Sequence, residues 1–460
     1  MLFHSQIFVV VFLPVVLAGY YATAGSRAWR TAWLVAASLA FYAYWDPRLV
    51  GLLVVSILAN WAIGRLLANV PLGLPLVLGV GANLLLLAVF KYADFTADAL
   101  CALAGCRHQP WDIVLPLGIS FFTFQQISYL VDVRRGSASA YRLIDYALYV
   151  SFFPQLIAGP IVRHDELIPQ MALDPRRAGV HERLSRGAIH FVIGLAKKAL
   201  VADQLARIAD PLFTAANGGQ GVLTTGEGWV AAIAFTLQIY FDFSAYSDMA
   251  IGLGLMFGFG LPVNFNAPYR SPSIREFWRR WHMTLSRFFR DYVYIPLGGN
   301  RFGLGRQVVA LGITWFLTGL WHGAAWTFVA WGLIHGTALV VFLLWRRLGV
   351  PVPRVVGWAL TMLVVTLAFV VFRAESFAAA TEVYGAMIGL GQDGWAVREL
   401  PRLWLLGVAA VLVALPTSQR WAQELLPPRR WIAGLAALVL VYLLLELGSG
   451  QSVEFIYFQF

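Results

Sequence analysis

The chain has 460 residues, 59% of them hydrophobic and only 13% charged, with a mean hydropathy of +0.69 and a formal net charge of +10. A water-soluble fold of this length needs far more charged surface, so a soluble protein is excluded. Apolar runs of roughly 17 to 25 residues, enough to cross a bilayer, recur along the whole length. The fold class is therefore an all-α polytopic membrane protein. The basic balance reads as a positive-inside bias toward anionic lipid, not as a nucleic-acid surface.

In chain order, the first apolar run is Ile7 to Tyr21, followed by Ala22-Thr23-Ala24, which looks like a signal-peptide cleavage site. The positive n-region of a signal peptide is missing, and Arg27 and Arg30 come afterwards. That order predicts an uncleaved first helix with its N-terminus outside. Candidate spans lie near 5–22, 31–45, 49–68, 74–90, 113–131, 143–160, 187–205, 228–258, 307–321, 324–345, 356–373, 403–416 and 431–447. Segments 31–45 and 403–416 are too short to cross upright, and a re-entrant or broken helix is tolerated where protein shields it. About ten to thirteen membrane segments are expected. Polar linkers around 171–186, 216–227, 391–402 and 417–430 are short, so residues 1–460 form one membrane domain. No internal repeat is visible, unlike many transporters. Cys101 and Cys106 would pair only in an oxidising compartment; their other role is packing.

The run Asn264 to His282 is the least ordinary part of the chain. Ser273 followed by Glu276 makes a capping box, so a helix is predicted to start there. Ile274, Phe277, Trp281, Leu285, Phe288 and Tyr292 then recur at spacings of three and four as one apolar stripe. Arg275, Arg279, His282, Ser286 and Arg290 make a second stripe, and Ile295-Pro296-Leu297-Gly298-Gly299 ends the helix. From Arg270 to Arg306 there are eight arginines against two acids, Glu276 and Asp291. Such a helix can simply lay its arginines among head groups. An arginine-lined surface also suits a phosphate-rich donor such as coenzyme A.

Thr314 to Trp326 places His322 inside an apolar segment, where an ionisable group is costly and marks a functional site. Gly319 and Gly323 permit close helix approach. Trp321 and Trp326 are expected to keep water out, leaving the imidazole neutral, as a base or nucleophile must be. The competing reading is a histidine hydrogen-bonded between helices. His335, thirteen residues on, falls on another face of a continuous helix and is read as structural.

Tyr240 to Met249 carries Asp242, Ser244, Tyr246 and Asp248 within an apolar span. Asp242 with Tyr246, and Ser244 with Asp248, are i,i+4 pairs able to bond along one helix. Two intramembrane carboxylates need partners, and Arg or His of the basic stretch are the expected ones. A structural ion-pair network is the leading reading, with site-shaping the other; Asp132 is read likewise. His4, His108, His164, His181 and His190 have no companions at metal-ligand spacing, and no HExxH, paired CxxC, P-loop, dinucleotide or Gly-x-Ser-x-Gly motif occurs. No metal is implied.

At these residues the sequence resembles the membrane-bound O-acyltransferase family, most nearly the branch typified by the membrane acetylase of bacterial alginate. The matching pieces are Tyr240 to Gly252, Asn264-Phe265 to Tyr269, Glu276 to His282, Arg290 to Gly299 and Gly319-Leu320-Trp321-His322-Gly323. Weaker ones are Phe153 to Pro160, Val371 to Glu375 and Phe455 to Phe460, so nearly the whole chain is covered, with 240–336 the most specific region. Ala245 stands where relatives carry Gly. The resemblance implies a ring of helices around a central funnel, with His322 as the membrane histidine and His282 as the second active-site position. It implies acetyl-CoA as donor from the cytoplasm and an inner-membrane location. It also implies periplasmic acetyltransferase or carrier proteins as partners in exopolysaccharide O-acetylation. On that basis Arg275, Arg279 and Arg290 are expected to hold the donor phosphates. His322 would be general base or carry the acyl group, with His282 bonding the donor or the developing oxyanion. Asp242, Ser244, Tyr246, Asp248, Trp321 and Trp326 would shape the site. Other exopolymers such as cellulose, D-alanyl transfer of the teichoic-acid type, a proton-coupled transporter and a non-enzymatic scaffold are the alternatives.

Overall fold

The structure is a computed structural model that describes residues 1–69, 73–111, 113–218, 223–392, 394–397, 402–427, 429–448 and 455–456. The last four residues of the C-terminal motif, 457–460, and parts of the linkers at 219–222, 393, 398–401 and 428 lie outside the described residues.

Helices dominate. The first half carries α1 (Leu13–Ala22), α2 (Arg27–Ala43), α3 (Val50–Asn69), α4 (Leu74–Leu87), α5 (Ala93–Ala104), α6 (Ile119–Arg134), α7 (Leu143–Ser151), α8 (Phe153–Leu156), α9 (His164–Leu167), α10 (Val180–Ala196), α11 (Asp203–Asn217) and α12 (Thr225–Met256). The second half carries α13 (Ile274–Arg280), α14 (Met283–Phe289), α15 (Gly303–His322), α16 (Trp326–Leu348), α17 (Arg354–Arg373), α18 (Phe377–Met387), α19 (Trp404–Ala414), α20 (Ser418–Arg420) and α21 (Arg430–Gly448). Among the described residues the β-structure is one isolated bridge, Thr224 to Gln392.

Among the described residues five helices are long and apolar enough to cross a membrane: Pro47–Asn69, Leu74–Ala104, Trp326–Leu348, Arg354–Arg373 and Arg430–Gly448. Trp404–Ala414 with Ser418–Leu425 makes a sixth, bent by 62°, at one of the two segments expected to be broken. The chain is thus multi-pass. The other expected segments fall on helices that are shorter or bury polar side chains. In α6, for instance, Gln125, Gln126 and Ser128 are all buried.

Two compact units divide the described chain, the division falling inside α12. The first comprises Met1–Ile193, Tyr246–Val263 and Trp421–Gly450. Its buried charges are satisfied internally. Arg30 donates to the carbonyls of Ala24, Met171 and Leu173, and Arg27 meets Asp145 at 2.9 Å. His164 bridges Asp132 and Tyr141, and Cys101 is disulfide-bonded to Cys106 at the end of α5. The second unit comprises Gly194–Ala245, Asn264–Arg420 and Gln451–Phe460. Its centre is the α15–α16 hairpin, against which α13 and α17 pack.

Candidate active site

His322 is the last residue of α15, which stops because Gly323 is extended (φ −163°, ψ 155°). Helix α16 then folds back so tightly that a methyl group at Gly319 would run into the Phe328 carbonyl, and one at Gly332 into the Trp315 carbonyl. This hairpin brings Trp331 beside His322, with ring centroids 4.8 Å apart; Trp321 and Phe372 lie at 4.9 and 5.4 Å. His322 is 4% exposed. The expected dry wall therefore exists, but one of its members differs. Trp326, at the start of α16, is 55% exposed. The turn at Gly323 points that ring outward and hands its place to Trp331.

His282 sits at a break. The uninterrupted helix expected from Ser273 to Tyr294 is instead α13, a kink at Trp281–His282, then α14 and a wide turn over Arg290–Tyr294. Ser273 caps α13 through the Glu276 N–H, as expected. At the kink His282 has φ +40°, and the segment 264–266 supplies the missing bonds. Met283 N–H donates to the Asn264 carbonyl and Asn266 N–H to the Arg280 carbonyl. The two stripes read along one helix are thereby split at His282.

The Asn264 side chain fixes the His282 tautomer. Its Oδ1 accepts from Thr284 N–H (3.3 Å) and Thr284 O–H (2.9 Å), which orients the amide. His282 Nδ1, 3.1 Å from the same oxygen, must then be the protonated ring nitrogen. Nε2 is left with its lone pair, buried and without a hydrogen-bond partner among the described residues. His282 is fully buried and lies outside the apolar spans; burial pushes its pKa down to about 3. In this tautomer the neutral ring can accept a hydrogen bond at Nε2 and carries no N–H to donate there. Trp321 links the two histidines, its ring 6.0 Å from His282 and 4.9 Å from His322.

A cavity of about 170 Å³ runs between α14 and α15. Ser286, Phe289 and Arg290 line one wall, Thr314, Trp315 and Thr318 the other, with Trp278 between them. Neither histidine lines this cavity; Thr318 is one turn before His322 on α15, and Ser286 comes four residues after His282. The Thr314 and Thr318 hydroxyls donate to carbonyls of their own helix, which leaves that wall apolar. Arg290, exposed and paired with Asp291, stands in the lining. Arg275 and Arg279 are exposed on α13 and do not line this cavity. Arg275 is held below its ordinary pKa by desolvation, then by the nearby cations of Arg279 and Arg346, which marks an anion-seeking cluster.

The four polar residues of α12 divide between the units. Asp242 and Ser244 belong with the histidines; Tyr246 and Asp248 belong to the first unit. Their partners are not the basic stretch that sequence reasoning favoured. Asp242 Oδ1 meets Lys198 Nζ at 2.8 Å, and Lys198 also meets Asp203 at 2.8 Å. Asp248 takes His190 at 3.2 Å, and Tyr246 stacks on Phe3. Asp242 and Asp248 thus bond across helices instead of along α12, because neighbouring segments bring Lys198 and His190 within reach. Lys198 escaped the sequence reading, although a lysine inside the apolar segment 187–205 was itself a signal. His335 is also buried; its Nδ1 accepts from Trp278 Nε1–H at 3.2 Å, and its ring lies 4.9 Å from Trp331. Among the described residues no group of three or more His, Cys, Asp or Glu could hold a metal.

Comparison with known proteins matches residues 108–381 to the membrane-bound O-acyltransferase family. The chain is 42% identical over 433 residues to the Pseudomonas putida protein named "Probable alginate O-acetylase AlgI", covering 91% of this chain and 86% of that one. It is 39% identical over 429 residues to the Helicobacter pylori "Peptidoglycan O-acetyltransferase" (85% and 80% covered). To a "Teichoic acid D-alanyltransferase" of Streptococcus thermophilus it is 29% identical over 238 residues, with 50% and 57% covered. A family match over more than half the chain, together with 42% identity to a relative covered over most of its length, has one consequence: this multi-pass membrane protein is an O-acyltransferase and belongs to the membrane-bound O-acyltransferase family.

Proposed function

We propose that the protein transfers acetyl from acetyl-CoA, arriving from the cytoplasm, to a hydroxyl destined for a polysaccharide outside the inner membrane. The observation that carries this reading is the pair of buried histidines on either side of Trp321, in a unit that also holds a mostly apolar cavity with Arg290 in its wall. A dry cavity of about 150 Å³ lined by apolar side chains takes one benzene-sized molecule. A cavity of about 170 Å³ therefore suits an acetyl group with its thioester better than a long fatty chain. The diphosphate of the donor would stay at the mouth, near Arg290 and the cationic group of Arg275, Arg279 and Arg346.

In the transfer the carbon–sulfur bond of the thioester breaks and CoA leaves as the thiolate, taking up a proton. A new bond to the acyl carbon forms, either to the acceptor oxygen directly or first to His322 Nε2. His282, holding its Nδ1–H on Asn264, stays neutral and offers its Nε2 lone pair as a hydrogen-bond acceptor to the acceptor hydroxyl, whose proton passes by way of His322 to the departing thiolate. A funnel joining the two faces, and periplasmic carrier or acetyltransferase proteins that relay the group to the polymer, belong to the same proposal. The named activities of the relatives, on alginate and on peptidoglycan, share a carbohydrate hydroxyl as acceptor, which is the substrate class proposed here.

Release of free CoA from acetyl-CoA by the purified protein, with partner proteins present, tests the reading. Wild-type turnover that disappears in folded His322→Ala and His282→Ala supports it. Equal turnover in both variants refutes the site. No turnover in the wild type refutes the donor.

A further inference from the structure

Close to the histidines the second unit buries a cluster of formal charges. Lys198 Nζ lies 2.8 Å from both Asp203 Oδ1 and Asp242 Oδ1, and none of the three residues is more than 3% exposed. Lys198 thus bridges two buried carboxylates, and Asp242 has a second oxygen to satisfy. A backbone dipole is directed at it: the Ile456 N–H donates to Asp242 Oδ2 at 2.8 Å. Ile456 and Phe455 are almost completely buried. The Phe455 ring lies 6.1 Å from Phe243, the residue after Asp242, and Phe243 meets His282 edge-on at 4.7 Å. One step of α12 therefore anchors the C-terminal segment with its carboxylate and backs His282 with its ring.

The tie on Ile456 is a charge-assisted hydrogen bond from its backbone N–H, inside a region where water cannot compete. We propose that Lys198 and Asp242 are positioning residues: their ion pair seats the Phe455–Ile456 step against Phe243 and thereby holds His282 in place. The proposal rests on the acyltransfer reading above. It assigns the C-terminal step to the site's supporting wall and leaves the donor cavity, whose lining is on other helices, unaffected. Disturbing the tie then lowers kcat and spares the KM for acetyl-CoA.

The test uses the full chain in detergent. Ile456→Pro deletes the donated N–H and keeps an apolar side chain, Ile456→Val keeps both, and Lys198→Met removes the cation. Hydrogen exchange of the C-terminal peptide reads docking; free-CoA release reads kcat and KM. A hydrogen bond to a charged group is large enough for a change of about tenfold or more. The expected result is faster exchange and kcat lowered by about that factor in Ile456→Pro and Lys198→Met. KM for acetyl-CoA should stay within about twofold, and Ile456→Val should match the wild type. Unchanged exchange in folded Ile456→Pro overturns the docking. Faster exchange with unchanged kcat overturns the positioning role. If the wild type releases no CoA, the acyltransfer reading falls, and the exchange arm still decides whether Lys198 and Asp242 seat the segment.

Discussion

Asn264→Ala is the sharpest perturbation of the site that leaves both histidines intact. Asn264 Oδ1 is the common acceptor for His282 Nδ1–H, Thr284 N–H and Thr284 O–H. Asn264 and His282 are fully buried and Thr284 is 3% exposed, so water cannot replace the lost oxygen. The threonine hydroxyl can rotate elsewhere, but the two N–H groups cannot. Each buried donor left unsatisfied costs about 1–3 kcal/mol, so the variant should lose roughly 2–6 kcal/mol. The chemical effect is separate. Without its acceptor the Nδ1–H form loses its advantage, the proton moves toward Nε2, and the lone pair faces the wrong way. A wrong histidine tautomer costs up to about 10⁴ in kcat in a serine-protease triad; here a fall of about 10-fold to 10³-fold is expected, with KM little changed. Asn264→Asp provides the contrast. It keeps acceptor oxygens for Nδ1–H and sets a carboxylate beside His282, raising the imidazole pKa from about 3; the tautomer is kept, so its rate should fall less than that of Asn264→Ala. Thermal unfolding in detergent and CoA release at saturating donor check both variants. An Asn264→Ala protein that unfolds and turns over like the wild type would refute the tautomer argument.

Gly332→Ala drives a methyl group into the Trp315 carbonyl. It should cost about 1–3 kcal/mol through overpacking and lower kcat by moving His322, measured by thermal unfolding and CoA release. Arg290→Ala removes an exposed cation from the cavity mouth. The KM for acetyl-CoA should rise roughly two- to fivefold at low salt, the gap to wild type narrowing at high salt, with kcat held. His282 carries a pH signature of sign opposite to a salt-bridged histidine. Its folded pKa of about 3 lies below its ordinary 6.5, so the unfolded chain binds the extra proton. Stability is flat above about pH 6.5 and falls as pH drops toward 3, by on the order of 5 kcal/mol if titration completes. Unfolding midpoints of wild type and His282→Gln across that range should converge at low pH; parallel curves would contradict it.

What was legible in the sequence was local. The Ser273 cap, the buried His322 beside Trp321, the apolar helices and the broken segment near 403–416 each depend on residues within a few turns of one another. What was hidden is tertiary. Spacing alone assigned Trp326 to the wall of His322, because nothing in a one-dimensional pattern tells where a glycine will fold the helix back. The acids of α12 were paired with Arg or His of the conspicuous basic stretch, whereas the structure gives them Lys198 and His190, both from a segment read only as apolar. The arginines themselves lie largely at the surface. Conspicuous charge marks where water or an anionic ligand is met, and the inconspicuous buried cation is the one that neutralises the interior.

The break at His282 has the same origin and the larger functional consequence. Residues 274–292 contain no glycine or proline, and their apolar spacing runs through the kink without interruption, so helix is the correct local expectation. His282 and Ala267 are nonetheless the two non-glycine residues with positive φ among those described. For an L-residue that region costs roughly 1–2 kcal/mol, and such strain persists only where surrounding contacts over-determine it. They do so here: the segment 264–266 bonds to both sides of the kink, and the Asn264 amide takes the His282 ring. Had the helix run on, residue 282 would project from the same face as Arg275 and Arg279, toward the surface where those arginines are exposed. Breaking it turns the imidazole inward, fully buried against Phe243 and within one ring of His322. The strained residue is therefore the one through which the second unit brings two histidines to the same tryptophan ring, and Asn264 is the residue that makes that conformation the stable one.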